Sequence, residues 1–134
     1  MKTLMLEGDV IIYALKGHPG VKSSLEKHAL SPMAMSVISL MELYYGAHRS
    51  AQPEANIARV RTLEHAFRVL PAADDIAGTF GSLKARMATA GTMLDDFDLI
   101  IAATALALNL TLVSNNERHF ARIEGLKLVN WSVA

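Results

Sequence analysis

At 134 residues, 51% of them hydrophobic and 19% charged, the chain is long enough to bury one core and too apolar to be a disordered segment. It contains no cysteine, which excludes a disulfide framework, a thiolate metal site and a cysteine nucleophile, and suits a reducing cytoplasm. The 13 basic and 13 acidic residues cancel, so no bulk positive charge argues for a nucleic-acid partner.

In chain order, residues 3–6 read as a short buried strand and residues 10–15 as a helical turn or two ending at Gly17. That opening apolar stretch is broken by Glu7 and Asp9 and lacks a basic lead-in and a cleavage site, so no secretory signal is expected. Pro19 suits the first turn of a helix running to about Ala29. Residues 33–37 form a second strand, and Ser39 caps a helix reaching about Ser50. Pro53 opens a further helix, with Ile57, Val60, Leu63 and Phe67 at helical spacing. Residues 69–71 are briefly extended, and Asp74 and Asp75 start a helix that reaches about Met87 and stops near Gly91. Residues 99–108 are an alanine-rich apolar helix, residues 110–113 a strand, residues 116–120 a turn or short helix, and residues 126–131 a last strand. The richest apolar run, residues 99–113, falls short of the ~20 residues that span a bilayer.

Short strands, apolar on both faces and alternating with helices, predict a parallel sheet covered by helices: an α/β sandwich, with residues 1–134 as one domain. In such sheets ligands bind beyond the carboxyl ends of the strands. Glu7 and Asp9 follow the first strand, Glu42 falls in the first turn of the helix after the second, Asp95, Asp96 and Asp98 open the apolar helix, and Ser114, Asn115, Asn116 and Glu117 follow the strand after it. Carboxylates gathered on one rim repel one another, and a hard divalent cation, Mg²⁺ or Mn²⁺, is the natural compensation. Such an ion polarises a phosphoryl oxygen and lowers the pKa of a water for in-line attack.

Each of these residues also has a plainer role. Ser39 and Glu42 have the spacing of a capping box, Asp95, Asp96 and Asp98 favour a helix N-terminus electrostatically, Asp9 can be an N-cap, and Asn115 and Asn116 suit a turn. The local basic groups (Arg59 and Arg61, Lys84 and Arg86, Arg118 and Arg122) read as solvated helix faces. Leu40, Leu43, Tyr44 and Ala47 recur at helical spacing and read as core; with the helix of Ile57 to Phe67 the same face could instead receive a partner. The coincidence of several acidic sites on one rim is what favours chemistry.

Four blocks carry a resemblance: LMLEGDVI from Leu4, SVISLMEL from Ser36 with Gly46, DLIIAATA from Asp98, and LTLVSNN from Leu110 leading to His119 and Phe120. Together they resemble the VapC-like branch of the PIN-domain family over nearly the whole chain. The resemblance implies a PIN-like three-layer sandwich with a short, mostly parallel sheet, and a metal-dependent endoribonuclease toxin acting on RNA, with tRNA the expected class. It further implies a cytoplasmic homodimer with a VapB-like antitoxin, reaching operator DNA only through that antitoxin, and no membrane. By position, Glu42 and Asp98 match family metal-site acids, and Asp96 a frequent additional acid. Ser114 matches the hydroxyl residue closing its strand, and Asn116 stands where many members carry Asp. The expected catalytic and metal set is therefore Glu7, Glu42, Asp98 and Asp96, supported by Asp9, Ser114 and Asn116.

The first acidic block departs from the pattern. Where the family has Asp, then Thr or Ser, then Asn or Asp, this chain has Glu7, Gly8 and Asp9. Glu7 is longer by one methylene, and Gly8 lacks a hydroxyl. That departure keeps open a non-cutting module that binds RNA or antitoxin. A phosphotransfer or phosphatase domain is disfavoured because an aspartyl nucleophile would stand where Glu7 is. No phosphate-binding glycine motif exists, and the five histidines lack zinc-ligand spacing.

Overall fold

The computed structural model describes residues 2–133. The elements run β1 (Leu4–Leu6), α1 (Gly8–Leu15), α2 (Pro19–Lys27), β2 (Met33–Ser36), α3 (Val37–Arg49), α4 (Pro53–Ala66), β3 (Arg68–Leu70), α5 (Asp74–Ala90), α6 (Asp96–Ala107), β4 (Thr111–Val113), α7 (Glu117–Phe120) and β5 (Lys127–Val129). The strands form one sheet in the order β3-β2-β1-β4-β5, and every pairing is parallel. The fold is the expected α/β sandwich with helices on both faces.

Alternation along the central strands sorts side chains into two cores. Met5, Ala34 and Leu112 point to one face, where they join Leu83 and Met87 of α5, Leu99, Ile101 and Ala105 of α6, and Phe120. Leu4, Leu6, Met35 and Val113 point to the other, against Val10 and Ile11 of α1, Val21 of α2, Leu40 and Leu43 of α3, and Val60 of α4. Each fully buried Leu, Met or Phe contributes roughly 1.5–3 kcal/mol of transfer free energy, so the two layers hold the sheet between them. The core reading of Leu40, Leu43 and Ala47 holds, with Tyr44 packed at its margin. The edge strands do not conform to the expected two-sided burial: Lys127 and Val129 of β5 are exposed, and β3 buries only Leu70.

Several boundaries differ from the sequence expectation. Helix α3 starts directly after β2, and its cap is Ser36, whose Oγ accepts from the Ile38 N–H at 3.1 Å. Ser39 is therefore inside the helix, Glu42 lies in its second turn, and the capping box is not formed. Helix α1 begins at Gly8, so Asp9 occupies its first turn rather than the cap. Helix α6 begins at Asp96, with Asp95 as its cap. Phe67 is beyond the last turn of α4, in extended conformation. In the first two cases strand passes into helix with at most one residue between them, a transition that hydrophobic periodicity does not resolve. Among the described residues no helix is long and apolar enough to cross a membrane.

Candidate active site

Strands β2, β1 and β4 are neighbours at the centre of the sheet, and the connection reverses direction between β1 and β4. Their carboxyl ends consequently open on one rim, at the switch point where ligands collect in parallel α/β sheets. The Glu7 N–H donates to the Val113 carbonyl at 2.9 Å, which places Glu7 beside Ser114 although 107 residues separate them.

Glu7 is the first side chain past β1, and it is buried. Its Oε2 accepts from Ser114 Oγ at 3.0 Å, and that hydroxyl oxygen in turn accepts from the Asn116 N–H at 2.9 Å. Asp9 is anchored from the same loop, its Oδ2 accepting from the Asn115 N–H at 3.1 Å, while Asp9 Oδ1 is buried with no partner. Glu42 reaches the rim from α3. Asp98 reaches it from the first turn of α6, where Asp95 Oδ1 accepts from the Asp98 N–H at 2.9 Å and fixes the backbone there.

These groups feel one another. Burial pushes Glu7 up to about 8, helped by the negative charges of Asp9, Asp98 and Glu42 and opposed by the Ser114 hydrogen bond. Burial likewise raises Asp9 against the pull of backbone N–H groups. Glu42 is solvent-exposed as a residue, yet partial desolvation of its carboxylate raises it, followed by the charges of Asp98, Asp95 and Asp9. Asp98 is raised by desolvation and then by Asp95, with His119 acting in the opposite sense. The structure thus brings Glu7, Asp9, Glu42 and Asp98 into one electrostatic set, with Ser114 and Asn116 in its hydrogen-bond scaffold.

Asp96 is placed differently. It lines the same shallow cleft of about 300 Å³ as Glu42, Asp95 and Asp98, but its Oδ1 is held by Lys84 Nζ at 2.8 Å. Two residues outside the expected set belong here. Asp95 couples to both Glu42 and Asp98, and its cap position concealed that second role. His119 Nδ1 lies 2.8 Å from Asn116 Nδ2 and 3.7 Å from Asp98 Oδ2. It stands three residues past Asn116, one helical turn away, and that spacing was the available signal.

The donor chemistry fits a hard divalent ion: all the acids offer oxygen, burial disfavours the ionised forms of Glu7, Asp9, Glu42 and Asp98, and a buried carboxylate oxygen of Asp9 is unpartnered. Among the described residues no three acidic or histidine side chains are gathered closely enough to enclose an ion by themselves. That pattern suits Mg²⁺ or Mn²⁺, which are bound by one or two carboxylates and retain waters, and not a cage of protein ligands.

A family model described as PIN domain matches residues 4–126. The chain is 36% identical over 131 residues to ribonuclease VapC2 of Haemophilus influenzae, covering 98% of this chain and 99% of that one. It is 34% identical over 134 residues to the tRNA(fMet)-specific endonuclease VapC of Shigella flexneri, covering 98% and 100%. Its fold matches the crystal structure of VapBC2 from Rickettsia felis bound to a DNA fragment from their promoter, with a TM-score of 0.89, 32% identity, and coverage of 96% and 98%. Family model, relatives and fold agree, and the chain belongs to the PIN-domain family, in its VapC branch.

Proposed function

We propose that this chain is a metal-dependent endoribonuclease, the toxin of a toxin–antitoxin pair, which hydrolyses RNA phosphodiesters and is silenced by a VapB-like antitoxin. The observation that carries the proposal is the rim at which β1, α1, α3 and α6 crowd Glu7, Asp9, Glu42 and Asp98 together. The relatives' names support RNA, and tRNA in particular, as substrate. The VapBC2 structure supports an antitoxin partner, through which operator DNA would be reached. The resemblance supports a cytoplasmic homodimer as the working form.

In this proposal Glu7, Glu42 and Asp98 would hold Mg²⁺ or Mn²⁺, one or two of them directly and the rest through bound waters, with Asp96 assisting from its pair with Lys84. The ion, when bound, supplies charge neutralisation at the phosphate and activates a water for in-line attack. The chain's own groups do the positioning. Ser114 fixes the Glu7 carboxylate, and the Asn115 N–H fixes Asp9. Asp95 pins the start of α6 so that Asp98 enters at a set depth. Ser114, buried and committed to Glu7, supports the site through that carboxylate, and Asn116 orders water or the phosphate at the β4 end. The extra methylene of Glu7 is accommodated by directing its carboxylate onto Ser114, at the β4 side of the rim.

The test is cleavage of a structured RNA pool, chiefly tRNA, with Mg²⁺ or Mn²⁺ against a chelator. We expect cation-dependent cutting by the unmodified chain, and a loss in Glu42→Ala and Asp98→Ala beyond the 10–100-fold typical of removing an outer-shell partner. Full cation-dependent cleavage by either variant would refute the assignment. A double substitution, Glu7→Asp with Gly8→Thr, run beside them, reads how much the departure at the first acidic block costs.

A further inference from the structure

One side chain in the acidic cleft is neither acidic nor buried. Phe97 lies between Asp96 and Asp98 on the first turn of α6, lines the cleft with them and with Glu42 and Asp95, and leaves half of its surface in water. Its neighbours along the helix, Leu99 and Ile101, are fully buried, so the core is complete without it. An aromatic ring gains much from leaving water, and one held beside a carboxylate array is in the wrong place for the fold and the right place for a ligand with flat faces.

We propose that Phe97 is a base-stacking platform that holds an unpaired nucleotide of the RNA next to the phosphate to be cut. The inference rests on the ribonuclease proposal and names the contact that would hold its substrate. Backbone charge is a poor candidate for that grip. The chain has no net positive charge. Of the basic groups at the cleft, Lys84 is paired with Asp96, and His119 sits between Asp98 and Asn116. Stacking on an aromatic ring does not depend on charge and accepts any base, because every base presents a π-face. The turn is also rigid: Asp95 caps it through the Asp98 N–H at 2.9 Å, so the ring needs little further ordering when a base arrives.

The experiment compares two 12-nucleotide single-stranded RNAs of equal charge, one of mixed sequence and one with its four central bases removed. Affinity is read by fluorescence anisotropy on chains carrying Glu42→Gln, so that cutting does not consume the probe, with and without Phe97→Leu or Phe97→Trp. Phe97→Leu should weaken binding of the base-bearing RNA about 5- to 100-fold and of the abasic RNA less than about 2-fold. Phe97→Trp should retain or tighten binding of the first. Equal losses on both RNAs, no loss on either, or Leu performing as well as Trp would overturn the proposal; the last two are the outcomes expected if a protein partner covers this ring instead. Cleavage by the unmodified chain is scored separately. Absent cleavage with base-dependent binding removes the nuclease proposal and keeps Phe97, whereas normal cleavage with base-independent binding does the reverse.

Discussion

Midway along the central strands, Met5, Met35 and Leu112 are fully enclosed by groups that ask for nothing but contact. One or two residues further, Glu7 and Ser114 are almost as deeply enclosed, and they are polar. The interior has spent its burial on transfer free energy and packing. The rim has spent it on keeping carboxylates away from water, with one hydroxyl and two backbone N–H groups as partial compensation. A region that lowers the stability of the unliganded fold in this way is expected where function requires it.

The sharpest way to break the comparison is pH. Glu7 sits near 8 in the folded chain against 4.5 as a free side chain. Between those values the folded state holds a proton that the unfolded state has lost, so stability falls as pH rises through the window. Below it both states are protonated, and above it both are ionised. The expected loss without divalent cation is up to about 5 kcal/mol, read by denaturant unfolding from pH 4.5 to 8.5. Glu7→Gln should flatten that slope, and added Mg²⁺ or Mn²⁺ should restore stability at the alkaline end. An unfolding free energy that rises with pH would contradict the burial of this acid.

Cutting the interior gives the reverse behaviour. Leu112→Ala, in the layer formed with Met5, Leu99 and Phe120, should cost about 2–5 kcal/mol at every pH and be unmoved by divalent cation. If its cost varied with pH as that of Glu7→Gln does, the two regions would not be separable.

Smaller effects sharpen the boundary between them. A Cβ on Gly8 would meet only ordinary contacts, Ser39 O at 3.8 Å and Ser39 Cβ at 3.9 Å, while Ser39 Oγ is buried without a partner. Gly8→Ser supplies a hydroxyl beside that oxygen and removes backbone freedom from the unfolded chain. We expect a gain of about 1 kcal/mol in thermal unfolding, and a loss would show the space to be smaller than the backbone suggests. Last, Asp96→Asn breaks the exposed pair with Lys84 and should shift stability by less than about 0.5 kcal/mol. Because Asp96 is the acid held out of the electrostatic set, its effect on cleavage should fall well short of that of Asp98→Ala. An equal effect would make Asp96 a principal holder of the ion and not an assisting one.

Much of this was legible in the residues themselves. Alternating short strands and helices carried the α/β sheet, and the positions of Glu7, Glu42 and Ser114 after strands, with Asp98 at the start of the apolar helix, carried the rim, because such placement is a local property of the chain. Tertiary structure decided the rest. It moved the cap of α3 from Ser39 to Ser36, since either hydroxyl satisfies the local rule and only the sheet fixes where the strand must stop. It gave Asp96 to Lys84, twelve residues away on another helix, and Asp95 to the acids, although the three aspartates of this turn are equivalent by spacing. It set Glu7 against Ser114 across 107 residues, and it left Phe97 in water beside the acids. Sequence determines what each turn of backbone can present. Which of those groups meet depends on the register of β1 with β4 and the seating of α6, and both are settled by packing across the whole sheet.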